Sequence, residues 1–505
     1  MKFNELARPA AGRNYEGGEA YQLSPEMELY SAVVTSSLSK MFYEGADQRA
    51  ERISNLVAKV SPVFASRLAI YAREKMHLRS VPLLLVTELA KIHSGDGLVS
   101  ETVERVVQRA DEIMELLACY AWRNALTTER KQLNRLSHQI QKGLAASFNR
   151  FDEYQFAKYD NQRRSVTLRD ALFVVHPKAK SIEQQELFDK IANSTLAVPY
   201  TWETEFSALG QQKFCDESAK QEAFARKWEE LIASGKLGYM ALLRNLRNIL
   251  SNPKISKACI DDVARRIADE KEVKKSRQLP FRYLAAYREL KNSCNFSSSS
   301  MMQALDKAIC ASASNITGFS DDCRVLIAAD VSGSMYSRVS PRSSVMNFDI
   351  GLLLAMMLKF RCREVISGMF GTDWKIFNLP TDNILPNVDA LYREEGSVGY
   401  ATNGHKVIDW LVETKTCVDK VMIFTDCQLW DSNGDGANLR QSWHRYRAIS
   451  PETKLYLFDL CGYGQSPLSL AEPNVYLIAG WNEKVFDVLD ALENGQTAID
   501  EIMKM

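Results

Sequence analysis

One carboxylate and two hydroxyls stand at two-residue spacing directly after an apolar run of the sequence. Asp330 ends the run that begins at Val325, and Ser332 and Ser334 follow it. The run predicts a buried strand of a parallel sheet, and open α/β sheets bind ligands beyond the carboxyl ends of such strands. Carboxylate and hydroxyl oxygens are hard ligands, which favour Mg²⁺, Mn²⁺ or Ca²⁺ over zinc or copper. The spacing therefore predicts part of a divalent cation site.

The Asp-x-Ser-x-Ser spacing resembles the first part of the metal-ion-dependent adhesion site (MIDAS) of von Willebrand factor A (vWFA) domains. That resemblance implies a threonine and an aspartate from two later loops. Thr402 lies in a later loop of small residues, and Asp426 ends a second apolar run, 421–426. We therefore predict a site for Mg²⁺, with Mn²⁺ or Ca²⁺ as alternatives. The predicted ligands are oxygen-bearing side chains: Asp330, Ser332, Ser334, Thr402 and Asp426.

Other interpretations of these residues remain open at this point. A short Ser-rich motif also suits a plain turn, and Thr425 with Asp426 suits a helix N-cap. Asp330 resembles the nucleophile of aspartyl-phosphate enzymes, but Ser332 stands where such enzymes need a second aspartate. Histidine is scarce at six residues, and we find no Ser-His-Asp, paired-carboxylate or HExxH arrangement. We predict that the protein is not an enzyme.

Composition places the chain among ordinary globular proteins. Its 505 residues favour two to four domains, and 46% are hydrophobic and 25% charged. No apolar stretch reaches the roughly 18 residues of a membrane span, and the first residues lack an apolar signal core. Ten scattered cysteines without a CxxC pair indicate reduced thiols and no zinc site. We expect a cytoplasmic protein that acts as a monomer and makes no membrane contact.

The formal net charge of zero conceals an asymmetry along the chain. Residues 121–180 hold 12 Lys/Arg against five Asp/Glu, whereas residues 421–505 hold six against 12. A polyanion such as a nucleic acid would be attracted to the first region and repelled by the second. The alternative is a basic helical face that is merely solvated.

The elements that must position these residues fall into two classes. Residues 27–316 carry helical periodicity, with helices predicted from Ser61 and Ser80 and over Glu101–Ala118. Paired helices with short loops predict a helical-repeat domain over residues 1–318. After a boundary at 314–320, alternation predicts a doubly wound α/β domain over residues 319–505. Its predicted strands are 323–329, 364–370, 420–425, 455–460 and 474–479, and its predicted helices are 347–360, 404–415, 436–448 and 482–494.

The combination of both halves resembles the Ro autoantigen family, the TROVE-domain ribonucleoproteins. The matching blocks, which span nearly the whole chain, are 65–74 with 79–85, Thr201–Thr204, Met240–Leu246, Leu279–Arg282 and the Asp330 motif. The resemblance implies a HEAT-like helical-repeat ring joined to a vWFA domain with a MIDAS. It also implies binding of structured Y RNA on the outer surface of the ring. Single-stranded 3′ ends of misfolded non-coding RNA would enter the ring cavity.

The segment 156–178 looks like the RNA-contacting region of that family. The resemblance assigns RNA contacts to Lys158, to Arg164 or its neighbour Arg163, and to His176. Lysine and arginine neutralise phosphates, arginine also stacks on bases, and an exposed imidazole can bond or stack. For His176 the alternative is a loop histidine without a ligand, and for the arginines a solvated helix face.

The sequence thus favours a non-catalytic RNA-binding scaffold of a small ribonucleoprotein. Through the resemblance, such a scaffold would tether RNA to a 3′ exonuclease such as polynucleotide phosphorylase. A second hypothesis is a protein-binding vWFA module, whose cation completes its coordination with the carboxylate of an acidic partner. In the family a Gly-Gly-Thr often precedes the third metal ligand, and this chain has Tyr400-Ala401-Thr402 instead. We therefore expect Tyr400 to reshape the ligand entrance.

Overall fold

A computed structural model shows two compact units. One unit comprises residues 1–49 with 238–501, and the other comprises residues 50–237 with 502–505. The structure describes residues 11–36, 41, 43–125, 136–292, 298–313, 323–339, 343, 345–362, 364–432, 434, 436–481 and 484–505. None of the described helices combines the length and the apolar character that crossing a bilayer requires. The predicted domain boundary at 314–320 lies outside the described residues and stays a prediction.

After two short strands near the start, the described elements are helical up to residue 313 and then alternate between strand and helix. The helices are α1 Pro25–Val34, α2 Ala46–Val57, α3 Pro62–Glu74, α4 Ser80–Ile92, α5 Leu98–Val106, α6 Ala110–Arg123, α7 His138–Phe148, α8 Glu153–Tyr159, α9 Leu168–Val175, α10 Ile182–Asn193, α11 Trp202–Gly210, α12 Glu217–Ala233, α13 Tyr239–Leu250, α14 Lys257–Ile267, α15 Glu270–Ser276, α16 Pro280–Lys291, α17 Ser298–Ala313, α18 Asn347–Arg361, α19 Leu385–Glu394, α20 His405–Thr414, α21 Leu439–Arg447, α22 Val485–Glu493 and α23 Ala498–Met503. The strands are β1 Ala11–Arg13, β2 Glu19–Gln22, β3 Arg324–Asp330, β4 Glu364–Phe370, β5 Trp374–Ile376, β6 Lys420–Thr425, β7 Lys454–Asp459, β8 Gln465–Ser466 and β9 Val475–Ala479.

The unit of residues 50–237 is built from helices that pack side by side, with α3 against α4 and α5, and α5 against α7. The predicted start of α3 is confirmed, because Ser61 caps it and accepts a hydrogen bond from the amide of Phe64, with proline at the first turn. Ser80 was expected to cap α4 but does not. It lies inside the helix, whose N-cap position is Arg79 and has no side-chain cap.

The stretch predicted as one helix over Glu101–Ala118 is two helices, α5 and α6. The break follows from Glu112, whose carboxylate accepts hydrogen bonds from the amides of Gln108 (2.9 Å) and Arg109 (3.1 Å). The same buried carboxylate pairs with Arg73 at 2.8 Å. A buried ion pair thus fixes the start of α6, where hydrophobic periodicity alone indicates continuity.

A six-stranded sheet forms the centre of the other unit. Its strand order is β5-β4-β3-β6-β7-β9, and all neighbours are parallel except the β4–β5 pair. All five predicted strands are confirmed, with each boundary within one residue of its prediction, and β5 is an additional antiparallel edge strand. Every residue of β6 is buried, as expected for a strand covered by helices on both faces. The predicted doubly wound α/β fold is therefore confirmed.

Helices pack on both faces of this sheet. On one face, apolar side chains such as Leu326 and Ile423 join Trp443 and Leu411 of α21 and α20 in one core cluster. On the other face, Phe424 and Phe458 stack with ring centroids 4.3 Å apart. Phe486 of α22 adds an aromatic contact to Phe458 on that face. The carboxyl ends of β3 and β6 are thereby held side by side.

A small second sheet brings the start of the chain into the same unit. Strands β1 and β2 form an antiparallel hairpin, and β2 pairs with β8. Behind it, Ser31 of α1 donates a 2.5 Å hydrogen bond to Asp459, and the Tyr30 hydroxyl donates to the carbonyl of Ala479. Arg49 donates a 2.6 Å hydrogen bond to the carbonyl of Cys461. Tyr30, Ser31 and Arg49 thus connect this segment to residues that lie more than 400 positions later in the sequence.

Candidate metal centre and nucleic-acid interface

The first predicted metal loop follows β3 and is held in place by its own hydrogen bonds. Asp330 is fully buried and accepts a 2.8 Å bond from the amide of Ser332. The Oγ atoms of Ser332 and Ser334 lie 3.3 Å apart. The amide of Gly333 donates to the carbonyl of Tyr400, which ties this loop to the loop of Thr402. The carboxylate and both hydroxyls are thus brought together.

The second and third predicted loops reach the same edge of the sheet. Thr402 and Asp426 are buried, and the amide of Trp430 donates to the carbonyl of Thr402 at 3.3 Å. Thr425 donates a 2.6 Å hydrogen bond to Asp330 Oδ2. This role of Thr425 was not predicted, although its position at a strand end beside the site could have suggested it. Among the described residues, the next helix is α21, and Asn438 caps it, so Thr425 and Asp426 are not helix N-caps.

Two oxygen atoms of the site have unused bonding capacity. Thr402 Oγ1 and Asp426 Oδ2 are buried and have no hydrogen-bond partner among the described residues. Leaving such atoms unpaired costs free energy, and a bound cation would satisfy both. The described residues contain no cluster of three or more His, Cys, Asp or Glu side chains that could hold a metal ion. The donor set is therefore two carboxylates with three hydroxyls, which fits Mg²⁺ or a similar hard cation.

The pKa shifts of the two buried carboxylates also favour a bound cation. Burial raises the pKa of Asp330 above its ordinary value. The pKa of Asp426 is raised more strongly, first by burial and then by the negative charge of Asp330. Both shifts describe carboxylates without a nearby cation, because desolvation and like charge disfavour the ionised form. A divalent cation would remove that penalty by neutralising both groups.

Exposed aromatic side chains border the metal loops. Tyr400 is 51% exposed and Tyr336 is 36% exposed, and their rings meet edge to face at 5.7 Å. Both hydroxyls donate to the carboxylate of Glu395. The expectation that Tyr400 shapes the entrance is consistent with this position beside Thr402.

The predicted RNA contacts lie in the unit of residues 50–237, and the most exposed of them adjoins aromatic rings. Lys158 in the last turn of α8 is exposed. Its ammonium lies 5.9 Å from the ring centre of Tyr154 and 5.6 Å from that of Tyr159. The guanidinium of Arg109 lies 4.6 Å from the Tyr159 ring. Arg109 and the two tyrosines were not among the predicted RNA contacts, because their signal is spatial clustering of cation and ring and not spacing in the sequence.

The two candidate arginines differ in their surroundings. Arg163 is exposed and forms no ion pair with any described residue. Arg164 is half-buried, and its guanidinium lies 3.7 Å from Glu115 Oε1. Burial raises the pKa of Glu115. Carboxylates of α6 also pair with Arg79 and Arg109, so much of the positive charge near α6 is already balanced.

His176 occupies a separate position at the end of α9. It is exposed and adopts a left-handed backbone conformation, with φ of 51°. Such a conformation is uncommon for a non-glycine residue and ends the helix here. No described contact connects His176 with Lys158, Arg163 or Arg164. The structure thus brings the five predicted metal ligands to the same edge of the sheet, whereas the RNA candidates lie on consecutive surface elements with no described contact between His176 and the others.

Known families match both parts of the chain. The model of the TROVE domain matches residues 26–227 and 195–316, and the model of the Ro60 vWA domain matches residues 324–492. Similar curated proteins are the telomerase protein component 1 of Rattus norvegicus, at 23% identity over 52% of this chain, and that of Mus musculus, at 24% over 46%. These matches cover only 12% and 11% of those relatives' own lengths.

A solved structure has the same fold over nearly all of the chain. The crystal structure of the Deinococcus radiodurans RO (RSR) protein superposes with a TM-score of 0.58, covering 94% of this chain and 100% of that one. The sequence identity is 16%, so this likeness establishes the fold alone. It agrees with the helical first part and the α/β last part described above.

Proposed function

This chain belongs to the Ro family of TROVE-domain proteins, and from that premise we propose that it is a non-catalytic RNA-binding scaffold. The observation that carries the proposal is the exposed surface around Lys158, whose ammonium forms no ion pair with any described residue and adjoins Tyr154 and Tyr159. Arg163 adds a second exposed cation nearby in the sequence. We call Lys158, Arg163 and Arg164 the basic triad.

The chemistry of this surface suits RNA with unpaired bases. Lysine and arginine neutralise phosphates, and each such contact releases counterions, so affinity should fall with salt. Tyr154 is 46% exposed and offers a ring face on which a splayed base can stack. The imidazole of His176 would extend the contact at the end of α9.

The finer assignment follows the family resemblance. A Y-like structured RNA would bind on the outer surface of the helical region, and single-stranded 3′ ends of misfolded non-coding RNA would enter the ring cavity. A 3′ exonuclease such as polynucleotide phosphorylase would be the tethered partner. In this proposal the protein acts in the cytoplasm as a monomer.

The basic triad can be tested with a charge-matched control. The test variant changes Lys158, Arg163 and Arg164 to alanine. The control variant instead changes Lys213, Lys220 and Arg226, which are exposed in the same unit. We expect the first variant to lose RNA affinity by roughly tenfold or more, because three phosphate contacts are removed, and the control to bind like the native protein. Equal losses in both variants would show non-specific electrostatics and would refute the assigned surface.

A second candidate function concerns the metal site. The unpaired Thr402 Oγ1 and Asp426 Oδ2 favour a Mg²⁺ site formed by Asp330, Ser332, Ser334, Thr402 and Asp426. When bound, the cation would supply a positive charge, and the carboxylate of an acidic partner protein would complete its coordination. The Asp330→Ala variant separates the two functions: the scaffold proposal expects it to keep RNA and to lose the cation.

The non-enzyme part of the proposal has its own test. The hydroxyls of Ser332 and Ser334 lie 3.3 Å apart, and no hydrogen bond among the described residues joins either of them to a histidine that could act as a base. Incubating the purified full chain with end-labelled RNA and Mg²⁺ should leave the RNA intact. RNA cleavage that persists through purification and disappears in Asp330→Ala would show that the protein is an enzyme.

A further inference from the structure

The asparagine that follows Thr402 connects the loop of Thr402 to two neighbouring loops. Asn403 is fully buried, and its Nδ2 donates to the carbonyl of Thr372 at 2.9 Å and to Ser432 Oγ at 2.8 Å. Its Oδ1 accepts a 2.9 Å hydrogen bond from the amide of Ser432. Both amide protons and the carbonyl oxygen of this side chain are therefore used, on partners that lie 31 and 29 residues away in the sequence.

The backbone of Asn403 adds a further bond to the first of these neighbouring loops. Its amide donates to the carbonyl of Gly371 at 3.0 Å. A Cβ atom on Gly371 would overlap the carbonyl oxygen of Gly399, so only glycine at this position lets the two loops approach so closely. The loop of residues 371–373 follows β4 and carries no predicted metal ligand. It instead supports the loop of Thr402.

The second neighbouring loop follows β6 and begins with Asp426. Ser432 lies in it, and the amide of Trp430 in the same loop donates to the carbonyl of Thr402 at 3.3 Å. Thr402 and Asn403 thus both bond to the loop of Asp426, the first through its backbone and the second through its side chain. Asparagine suits this position because it is a short side chain that offers two donors and an acceptor at once. Alanine in its place would break all three side-chain hydrogen bonds.

The hydroxyl of Thr402 is in a different situation from the side chain beside it. Thr402 Oγ1 is buried and has no hydrogen-bond partner among the described residues. No hydrogen bond of its own therefore fixes this oxygen, whereas the backbone that carries it is held by Asn403 and by the amide of Trp430. The position of this predicted metal ligand thus depends on the residue that follows it.

We propose that Asn403 is a positioning residue of the metal site, which holds Thr402 Oγ1 in place before a cation binds. Asn403 does not bind the ion itself, because its polar atoms are bonded to Thr372 and Ser432. A ligand that is held in advance needs no ordering when the ion arrives, and this raises the affinity. The inference rests on the proposed metal site, whose own support is the unpaired Thr402 Oγ1 and Asp426 Oδ2.

Mn²⁺ titration of the full chain, with free Mn²⁺ followed by its electron paramagnetic resonance signal, tests the inference. Asn403→Ala should raise the Kd for Mn²⁺ by roughly tenfold, at the lower end of the loss that follows removal of a residue that orients a metal ligand. A folded Asn403→Ala variant that binds Mn²⁺ like the native protein would refute the inference.

Asn387→Ala is the matched control for the loss of buried hydrogen bonds. Asn387 is a buried asparagine of the same unit. Its Nδ2 donates to the carbonyls of Pro380 and Asn383 at 2.7 Å and 2.6 Å, and neither belongs to a metal loop. This variant should lower the thermal unfolding midpoint about as much as Asn403→Ala does, and should leave the Kd for Mn²⁺ unchanged. An equal rise of the Kd in both variants would show general destabilisation and would refute the positioning role.

A double-mutant cycle shows whether Asn403 acts through Thr402. Thr402→Val removes the hydroxyl and keeps the shape of the side chain. Once that ligand is gone, adding Asn403→Ala should raise the Kd for Mn²⁺ no further, because the two changes remove the same interaction. Fully additive effects of the two changes would refute the proposed dependence.

Ser432→Ala keeps the inference testable if Asn403→Ala does not fold. It removes one partner of Asn403 at a half-buried position, and should raise the Kd for Mn²⁺ by about two- to threefold, the effect of one hydrogen bond. An unchanged Kd in this variant, with binding lost in Asp330→Ala, would refute the inference and leave the metal site standing. A native chain that binds no Mn²⁺ would refute both.

Discussion

The proposed metal site and the basic triad differ in how their side chains are held. Asp330, Ser332 and Asp426 are fully buried at the ends of packed strands, and neighbouring amides and hydroxyls fix their oxygens. Lys158 and Arg163 lie exposed on a short helix and a turn. The first arrangement is preorganised for one small ion, whereas the second can adapt to an extended polyanion. The two regions should therefore respond to mutation, salt and pH in opposite ways.

The largest effect should come from removing the central carboxylate. Asp330→Ala should weaken Mg²⁺ binding on the order of a hundredfold or more, because it deletes a charged ligand and the acceptor of Thr425 and Ser332. Isothermal titration calorimetry checks the loss. RNA affinity, measured in parallel, should stay within about twofold of native if phosphate contacts lie elsewhere. If a folded Asp330→Ala variant lost both Mg²⁺ and RNA binding, the proposal that the two sites are separate would be wrong.

The salt dependence of RNA binding gives the next largest effect. The logarithm of the native affinity should fall linearly with the logarithm of salt concentration. Alanine at Lys158, Arg163 and Arg164 should reduce that slope by roughly two units, given about 0.7–0.9 per phosphate contact. Filter binding between low and physiological salt measures it. An unchanged slope would mean that these side chains do not contact phosphates.

The pH dependence of stability should reveal the buried carboxylates. The pKa values of Asp330 and Asp426 are raised in the folded protein. Their contribution to the stability of the metal-free protein is therefore fully present below about pH 4, the unfolded pKa. It is lost as the pH rises through the folded pKa values. Asp426→Asn should therefore stabilise the metal-free protein by about 1–2 kcal/mol at pH 8. Urea unfolding in chelator measures this gain. Adding Mg²⁺ should raise the free energy of unfolding of the native protein and leave that of the variant unchanged. A variant that Mg²⁺ still stabilises would contradict the proposed site.

The smallest expected effect distinguishes two neighbouring arginines. Arg163→Ala should weaken RNA binding more than Arg164→Ala, because Arg164 is already near Glu115. Glu115→Gln should release Arg164 and tighten RNA binding by about twofold, the scale of a partly exposed ion pair. Fluorescence anisotropy with one labelled RNA resolves such differences. The reverse order of the two alanine variants would make Arg164 the main contact.

The sequence predicted the sheet well because its signals are local. Apolar runs such as 421–426 read as buried strands, and side chains at their ends meet by topology. The joint position of Thr402 with the other ligands came from family resemblance. Thr425 was missed because its bond to Asp330 crosses between neighbouring strands.

Long-range contacts escaped prediction for a physical reason. Strands β1, β2, β5 and β8 have two to four residues each, too few for a period-two pattern. The hairpin docks through contacts such as Asn14 with Leu429, 415 residues apart. The break before α6 depends on a buried ion pair, and Glu112 carries no such signal in one sequence. Exposed RNA contacts likewise depend on which charges remain unpaired after folding.

The packing of residues 11–49 on the sheet sets an order for folding during synthesis. Ser31 and Tyr30 bond to Asp459 and Ala479, which leave the ribosome more than 400 residues later. The segment with Tyr30 and Ser31 must therefore wait, without its partner strands, until β7 and β9 have been made. Assembly of the sheet unit should therefore follow the synthesis of β9, and a variant that lacks residues 1–49 should refold with this step impaired.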